Sequence, residues 1–353
     1  MKAILQSAEG RTIRNEDTTG LKPVVLHIGV LTISIMPVFT QAVAVPPILK
    51  EIAKIFLKAG FQCFLVGGAL RNLYTSQPVT DYDLATDALP EQVTGLFKKV
   101  IPTGIRHGTV TVLYKGHKFE VTTFRIDGDY SDFRRPDKIA YTPSIFEDLK
   151  RRDFTINSMA FNLENYTLLD PHNGINDIKK KVIKAIGDPY ERFNEDGLRI
   201  LRACRLAAQL NFSIEENTFK AIKDNVSQLQ LVSAERLRDE ITKILECEKP
   251  SIGFEIMERA NLLQFILPEL QACKGVQQKG FHKFDVYTHS LLTCDFTPAD
   301  LVLRLSALLH DIGKPEALSF SSSGEPLFYR HEEISARMAH TILRRLKFPK
   351  AVE

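Results

Sequence analysis

Leu65-Val66-Gly67-Gly68-Ala69-Leu70-Arg71, followed ten residues later by Asp81-Tyr82-Asp83-Leu84-Ala85-Thr86, is the stretch on which the reading of this chain turns. Phe61–Val66 is a short apolar run of strand character, Gly67-Gly68 interrupts it, and the residues after it open a helix. Glycines at such a turn let the backbone come close to a bound group. The free N–H groups of a helix start suit a phosphate, and Arg71 adds a charge-assisted donor. Asp81–Leu84 reads as a second strand, on which residues i and i+2 share a face. Two neighbouring carboxylates repel unless a cation bridges them, and Mg²⁺ takes one or two carboxylates together with substrate phosphates. Glu120, on a later strand, can bring a third carboxylate to the same cluster, as metal-assisted phosphoryl or nucleotidyl transfer requires. Taken singly, each of these features is as well explained by a plain turn, a solvated D-x-D or an outward-facing strand glutamate.

Working outward, Ile48–Lys58 is an amphipathic helix with Ile48, Ile52, Ile55 and Phe56 on one face, ended by Gly60. Pro90–Lys99 reads as a helix, Thr109–Tyr114 and Lys118–Phe124 as two strands joined by Lys115-Gly116-His117, and Arg125–Lys138 as a charged loop. Past about residue 190 the pattern turns helical, for example at Asp196–Leu210, Ala234–Leu245 and Leu301–His310. The chain is therefore expected to be a mixed α/β module of about 130 residues followed by an all-helical region. Its 353 residues, 44% hydrophobic and 25% charged, exclude a collagen-like, disordered or disulfide-scaffold protein. A net charge of +3 does not by itself announce a nucleic-acid binder, so any such partner must come from local patches. Cys63, Cys204, Cys247, Cys273 and Cys294 are odd in number and without C-x-x-C spacing, which fits a reducing cytoplasm. Residues 23–49 carry no Asp, Glu, Lys or Arg, but prolines and polar residues interrupt the run, so a membrane role is not expected. Residues 1–45 are read as an N-terminal extension, with Met36 a plausible alternative start.

Leu65–Arg71 with Asp81–Thr86 resembles motif A of class II tRNA nucleotidyltransferases (CCA-adding enzymes), which bacterial poly(A) polymerases share. Three further motifs follow in the family's order. Arg151-Arg152-Asp153-Phe154-Thr155-Ile156-Asn157 resembles motif B, Glu195-Asp196-Gly197-Leu198-Arg199 with Arg202 and Arg205 resembles motif D, and Glu235–Glu240 resembles the helix-stabilising motif E. The family usually has Asp where this chain has Asn72. Arg125–Arg135 resembles the flexible loop of enzymes that complete CCA.

The resemblance implies an α+β fold: a DNA-polymerase-β-like head with a mixed β-sheet (46–186), a helical neck (187–272) and a helical body (273–353). It implies template-independent addition of C, C and A to the 3′ end of tRNA from CTP and ATP, with release of pyrophosphate. Asp81 and Asp83 would hold two Mg²⁺ ions, with Glu120 beside them. Gly68 and Arg71 would position the triphosphate. Arg152 and Asp153 would contact the ribose and Asp196 and Arg199 the base, with Asn157, Arg202 and Arg205 also counted as nucleotide-binding, Arg205 alternatively as an RNA-phosphate contact or a surface charge. On a helical wheel Asp196 aligns with Ile200, Ala203 and Ala207, whereas Arg205 should point well away from it. The partners implied are CTP, ATP and the acceptor arm of tRNA, with no DNA and no membrane. A poly(A) polymerase or a partial CC- or A-adding enzyme remains open within the same class. In the tail, His289 and Leu308–Pro315, with His310-Asp311 and a following His331, resemble an HD-type phosphohydrolase domain that looks incomplete. It would take a divalent transition metal at His289, His310 and Asp311. A metal-dependent phosphohydrolase and an inert RNA-binding protein are the readings from other classes.

Overall fold

The computed structural model describes residues 24–28, 31–35, 45–75, 77–79, 81–128, 139–278 and 283–352. Val24–Ile28 and Leu31–Ile35 pair as an antiparallel hairpin. Among the described residues no helix is long and apolar enough to cross a membrane.

The head is built on a seven-stranded sheet. In spatial order its strands are Leu168–Leu169, Ala160–Asn162, Phe64–Val66, Tyr82–Thr86, His117–Thr123, Thr109–Tyr114 and Val100–Gly104. Every neighbouring pair is antiparallel except Tyr82–Thr86 with His117–Thr123. Alternation assigns the faces. Leu65, Leu84, Phe119 and Val121 enter a core shared with Leu49, Ile52 and Phe56 of the Pro47–Lys58 helix. Phe64, Val66, Ala85 and Phe124 turn the other way, onto a small cluster with Ile145, Leu149 and Ala160. Asp83 shares the face of Ala85, and Glu120 lies directly beside it in the parallel pairing. The functional carboxylates therefore sit on the less filled face of the sheet.

Two expectations change here. Asp81 lies just before the strand rather than in it, because pairing starts at Tyr82, whose ring stacks on Phe119. The charged stretch is not all loop: Arg125–Asp127 pairs with Ile139–Tyr141 and carries an ion pair of its own between Arg125 and Asp127, while residues 129–138 lie outside the described residues.

The remainder is helical around one continuous core. It is not wholly so. Val182–Ile183 pairs in parallel with Ser213–Ile214, and Leu318–Phe320 forms a hairpin with Pro326–Phe328 through a turn whose Gly324 has φ +80°. The Asp196–Leu210 helix is shorter than its periodicity suggests. It runs Leu198–Leu210, after a separate turn of helix at Pro189–Glu195, and Asp196 stands at the joint. Gly197 makes that joint possible, since a Cβ there would meet the carbonyl oxygen of Gln228 at 2.6 Å. Gly197→Ala is expected to destabilise the fold by about 1–3 kcal/mol through overpacking, measured as a lower denaturant midpoint at unchanged slope.

Candidate active site

Gly67 carries the first constraint. Its φ is +66°, and a Cβ on it would stand 2.9 Å from Asp83 Oδ2. Only glycine relieves both the backbone and the contact. The turn presses the backbone against Asp83, and the Gly68 N–H donates to its carboxylate. Burial raises the Asp83 carboxyl above its ordinary range, and the Glu120 and Asp81 charges push the same way against Arg152. Among the described residues neither Asp81 nor Asp83 forms an ion pair, whereas Glu120 meets Lys118 at 3.2 Å. The three carboxylates face one region, but they do not bring three oxygens within 4.8 Å of one another. Hard, anionic, unneutralised oxygens of this kind fit a magnesium-class ion, whose charge would offset the repulsion that spreads them.

Two clefts meet at this wall. One, of about 530 Å³, is lined by Gly67, Gly68, Asp83, Glu120, Asp153, Asn157 and Asp196 and by eight arginines: Arg71, Arg125, Arg151, Arg152, Arg199, Arg202, Arg205 and Arg236. The other, of about 600 Å³, runs along Asn72, Val79, Asp81, Gln209, Lys243 and Cys247 and shares Gly68, Asp83, Glu120 and Arg205 with the first.

The guanidiniums are held by carboxylates reaching across elements. Fully buried Asp148 takes Arg151 at 2.7 Å and Arg152 at 2.9 Å. Burial opposes its ionisation, but these two cations hold its pKa below the usual range. Asp153 accepts Nε and Nη2 of Arg202 at 2.8 and 2.5 Å, and also the Asn157 amide at 3.1 Å. Burial again opposes, and Arg202 prevails, so Asp153 stays ionised. Arg199 pairs with Glu195 and donates to the carbonyl of Arg151 at 3.2 Å. Arg71 donates to Asn157 Oδ1 at 2.7 Å. The buried Nε of Arg152 has no protein acceptor.

Asp196 does two things. Its Oδ1 accepts the Leu198 N–H at 3.0 Å, as a helix-capping residue would, and the carboxylate also takes a two-pronged bond from Arg236 at 3.0 and 2.7 Å. Arg236 is a site residue that sequence reasoning missed as such. It lies in the motif E stretch, on the Ala234–Leu245 helix, and so does Glu240, which holds Arg205 at 2.6 Å. That contact corrects the expectation for Arg205. It does turn away from Asp196, but toward Glu240 at the wall shared by both clefts. Asp148 also escaped the sequence reading, because a lone acid three residues before an Arg-Arg pair has no distinctive spacing.

His289, His310 and Asp311 lie apart from this site, in the helical body. Their ligand atoms fall within 4.8 Å of one another, and His331 Nε2 is 3.4 Å from Asp311 Oδ1.

Comparison with known proteins follows this geometry. Residues 63–184 match the poly A polymerase head domain, and residues 211–274 match the probable RNA and SrmB-binding site of polymerase A. It is 48% identical over 212 residues to the CCA-adding enzyme of Lactobacillus delbrueckii subsp. bulgaricus, covering 60% of this chain and 52% of the relative. It is 48% identical over 207 residues to that of Lactobacillus helveticus, covering 59% and 50%. The chain thus spans about half the length of the curated relatives it matches. The solved Bacillus stearothermophilus CCA-adding enzyme in complex with CTP superposes with a TM-score of 0.64 at 29% identity, over 84% of this chain and 68% of that one. The Thermotoga maritima CCA-adding enzyme complexed with tRNA shares the fold, with a TM-score of 0.56 at 21% identity over 87% and 68%. The mixed sheet of the head followed by a helical region is the architecture of these enzymes.

Ionising Asp83 costs the fold stability, because its pKa in the fold lies above that of the unfolded chain. The penalty is present above the folded-state pKa and vanishes below the unfolded-state value. Asp83→Asn is therefore expected to raise the melting temperature by roughly 1–4 °C near neutral pH. The gain should disappear in acid, as read by thermal unfolding of both chains across pH.

Proposed function

We propose that this chain is a nucleotidyltransferase that adds C, C and A to the 3′ end of tRNA, using CTP and ATP and no nucleic-acid template. The observation that carries this reading is the position of Asp83 and Glu120 in the wall common to two clefts. One cleft is rich in guanidiniums and suits a nucleoside triphosphate. The other offers Arg205, Lys243 and Gln209 to the end of an RNA strand. The two reactants would meet over the carboxylates. Asp81, Asp83 and Glu120 would hold Mg²⁺, two ions by the family resemblance, which would supply charge neutralisation at the α-phosphate and lower the pKa of the attacking hydroxyl.

The remaining work is positioning. Gly68 and Arg71 orient the phosphates, and Arg152, Asp153 and Asn157 the ribose end. Arg236 and the Leu198 N–H fix Asp196, and Glu195 fixes Arg199, so an acceptor and a forked donor stand in set directions toward a base edge. A rigid pair of this kind can choose C and A without a template. Five unpaired, buried cysteines agree with a cytoplasmic site of action. The curated relatives are CCA-adding enzymes, which favours this reading over a poly(A) polymerase or a partial adding enzyme.

The test is incorporation on tRNAs lacking CCA, CA or A, with CTP and ATP each alone and together. Ordered addition that stops after A is expected, and Asp81→Ala or Asp83→Ala should lower it by 10³-fold or more, on the scale of lost transition-state charge stabilisation. Unlimited A addition would show a poly(A) polymerase instead.

A second reading concerns the helical body, where four groups converge. The Nδ1 of His310 faces the Ala307 carbonyl at 2.8 Å and that of His331 the Phe328 carbonyl at 2.8 Å, so each proton sits on Nδ1. That leaves both Nε2 atoms free as ligands beside Asp311 and His289. The donor set fits a divalent transition ion. His331, whose Nε2 is 3.4 Å from Asp311 Oδ1, would be a fourth group beside the three whose ligand atoms fall within 4.8 Å of one another. Calorimetric titration with Zn²⁺, Ni²⁺ or Mn²⁺ is expected to show one site in the full chain. His310→Ala or His331→Ala should weaken it at least tenfold, a loss on the order of that for a group orienting a metal, while nucleotide addition persists.

A further inference from the structure

Of the eight arginines lining the first cleft, seven have a carboxylate partner among the described residues. Arg151 and Arg152 share Asp148, Arg125 has Asp127, and Arg199, Arg202, Arg205 and Arg236 have Glu195, Asp153, Glu240 and Asp196. Arg71 is the exception. It is 5% exposed, yet its hydrogen-bond acceptors among the described residues are all amide oxygens: Asn157 Oδ1 on Nη1 at 2.7 Å, and Asn72 Oδ1 on Nε and Nη2 at 3.2 and 2.9 Å. Burial lowers its pKa to about 10, with Arg205 and Arg202 pushing the same way and the Asp153 and Asp83 charges pushing back, so it remains charged at neutral pH. A buried cation with neutral partners is costly, and such a cost persists where an anion is to be bound.

Asn72 sets this state up. Its Nδ2 donates to the Pro78 carbonyl at 3.0 Å, which only the amide nitrogen can do. The oxygen is thereby turned onto Arg71. The guanidinium lies against the glycine turn, with Nη2 3.5 Å from where a Cβ on Gly68 would stand. A guanidinium with no carboxylate bonded to it thus lies at the glycine turn in the wall of the cleft.

We infer that Asn72 is a positioning residue that orients Arg71 without neutralising it, and so makes Arg71 the principal phosphate-binding cation for the incoming nucleoside triphosphate. An aspartate at 72, the residue usual in the family this chain resembles, would have the same shape and reach the same two nitrogens. It would also put a full negative charge against the guanidinium, in competition with phosphate. The inference rests on the nucleotide reading of the cleft.

Its test is calorimetric binding of inorganic triphosphate to the full chain, in EDTA so that no metal contributes. Asn72→Asp is expected to weaken binding about three- to tenfold, with the gap narrowing as salt rises. Asn72→Ala, which loses the orienting hydrogen bonds but adds no charge, is expected to weaken binding by a smaller factor, about two- to threefold, on the scale of lost hydrogen bonds. Equal losses in the two variants, or no loss in Asn72→Asp, would overturn the inference by reducing Asn72 to a shape role. Should Asn72→Asp not fold, Arg71→Gln against Arg125→Gln decides: the larger loss must fall on Arg71, and the reverse order overturns the proposal. If the parent chain binds no triphosphate, the nucleotide reading itself fails, and the inference with it.

Discussion

Mutual repulsion among guanidiniums is the constraint around which this molecule is arranged. Eight of them line one cleft of about 530 Å³, and nothing but anions can hold so many like charges together. Some of the carboxylates that do so, Asp127, Asp148 and Glu195, are near neighbours in the chain, and others come from distant parts of it. Asp148 precedes the Arg151-Arg152 pair, Asp153 reaches Arg202 across 49 residues, and Asp196 and Glu240 link two neck helices through Arg236 and Arg205. Each such acid is largely sheltered from water, so each bond costs desolvation as well as returning Coulomb energy. What the arrangement secures is direction: every arginine but one is turned by a specific partner.

The opposite problem exists at the sheet. Asp81, Asp83 and Glu120 face one region without enough positive charge, and burial already disfavours the ionised form of Asp83. The two imbalances adjoin along Gly68, Asp83 and Glu120. An anionic substrate accompanied by divalent cations neutralises both at once, which a ligand of either sign alone would not. The head, the neck and the Gly67 turn can be understood as the scaffold that keeps these two imbalances side by side.

Much of the site was legible because its residues lie in compact motifs. A glycine pair after an apolar run and two acids spaced by one residue state their geometry locally, since strand alternation and helix phase act over only a few residues. Ala234–Leu245 appeared as a helix with its correct limits for the same reason. Asp81 at the edge of its strand, the split before Leu198 and the Arg125–Asp127 pairing with Ile139–Tyr141 were not legible. Each depends on a neighbour brought near by folding: the Phe119 ring, the Gln228 carbonyl and a strand more than ten residues away.

The sequence by itself determined a mixed α/β module followed by helices, the glycine turn with its neighbouring acids, and the inventory of arginines. Only the tertiary structure decided which carboxylate holds which arginine, that Arg205 belongs to Glu240, that His331 lies against Asp311, and that Arg71 pairs with no carboxylate among the described residues. The reason is the range of the forces. Backbone periodicity is written in adjacent residues, whereas a charge finds its partner through space, among groups that chain order keeps tens of residues apart.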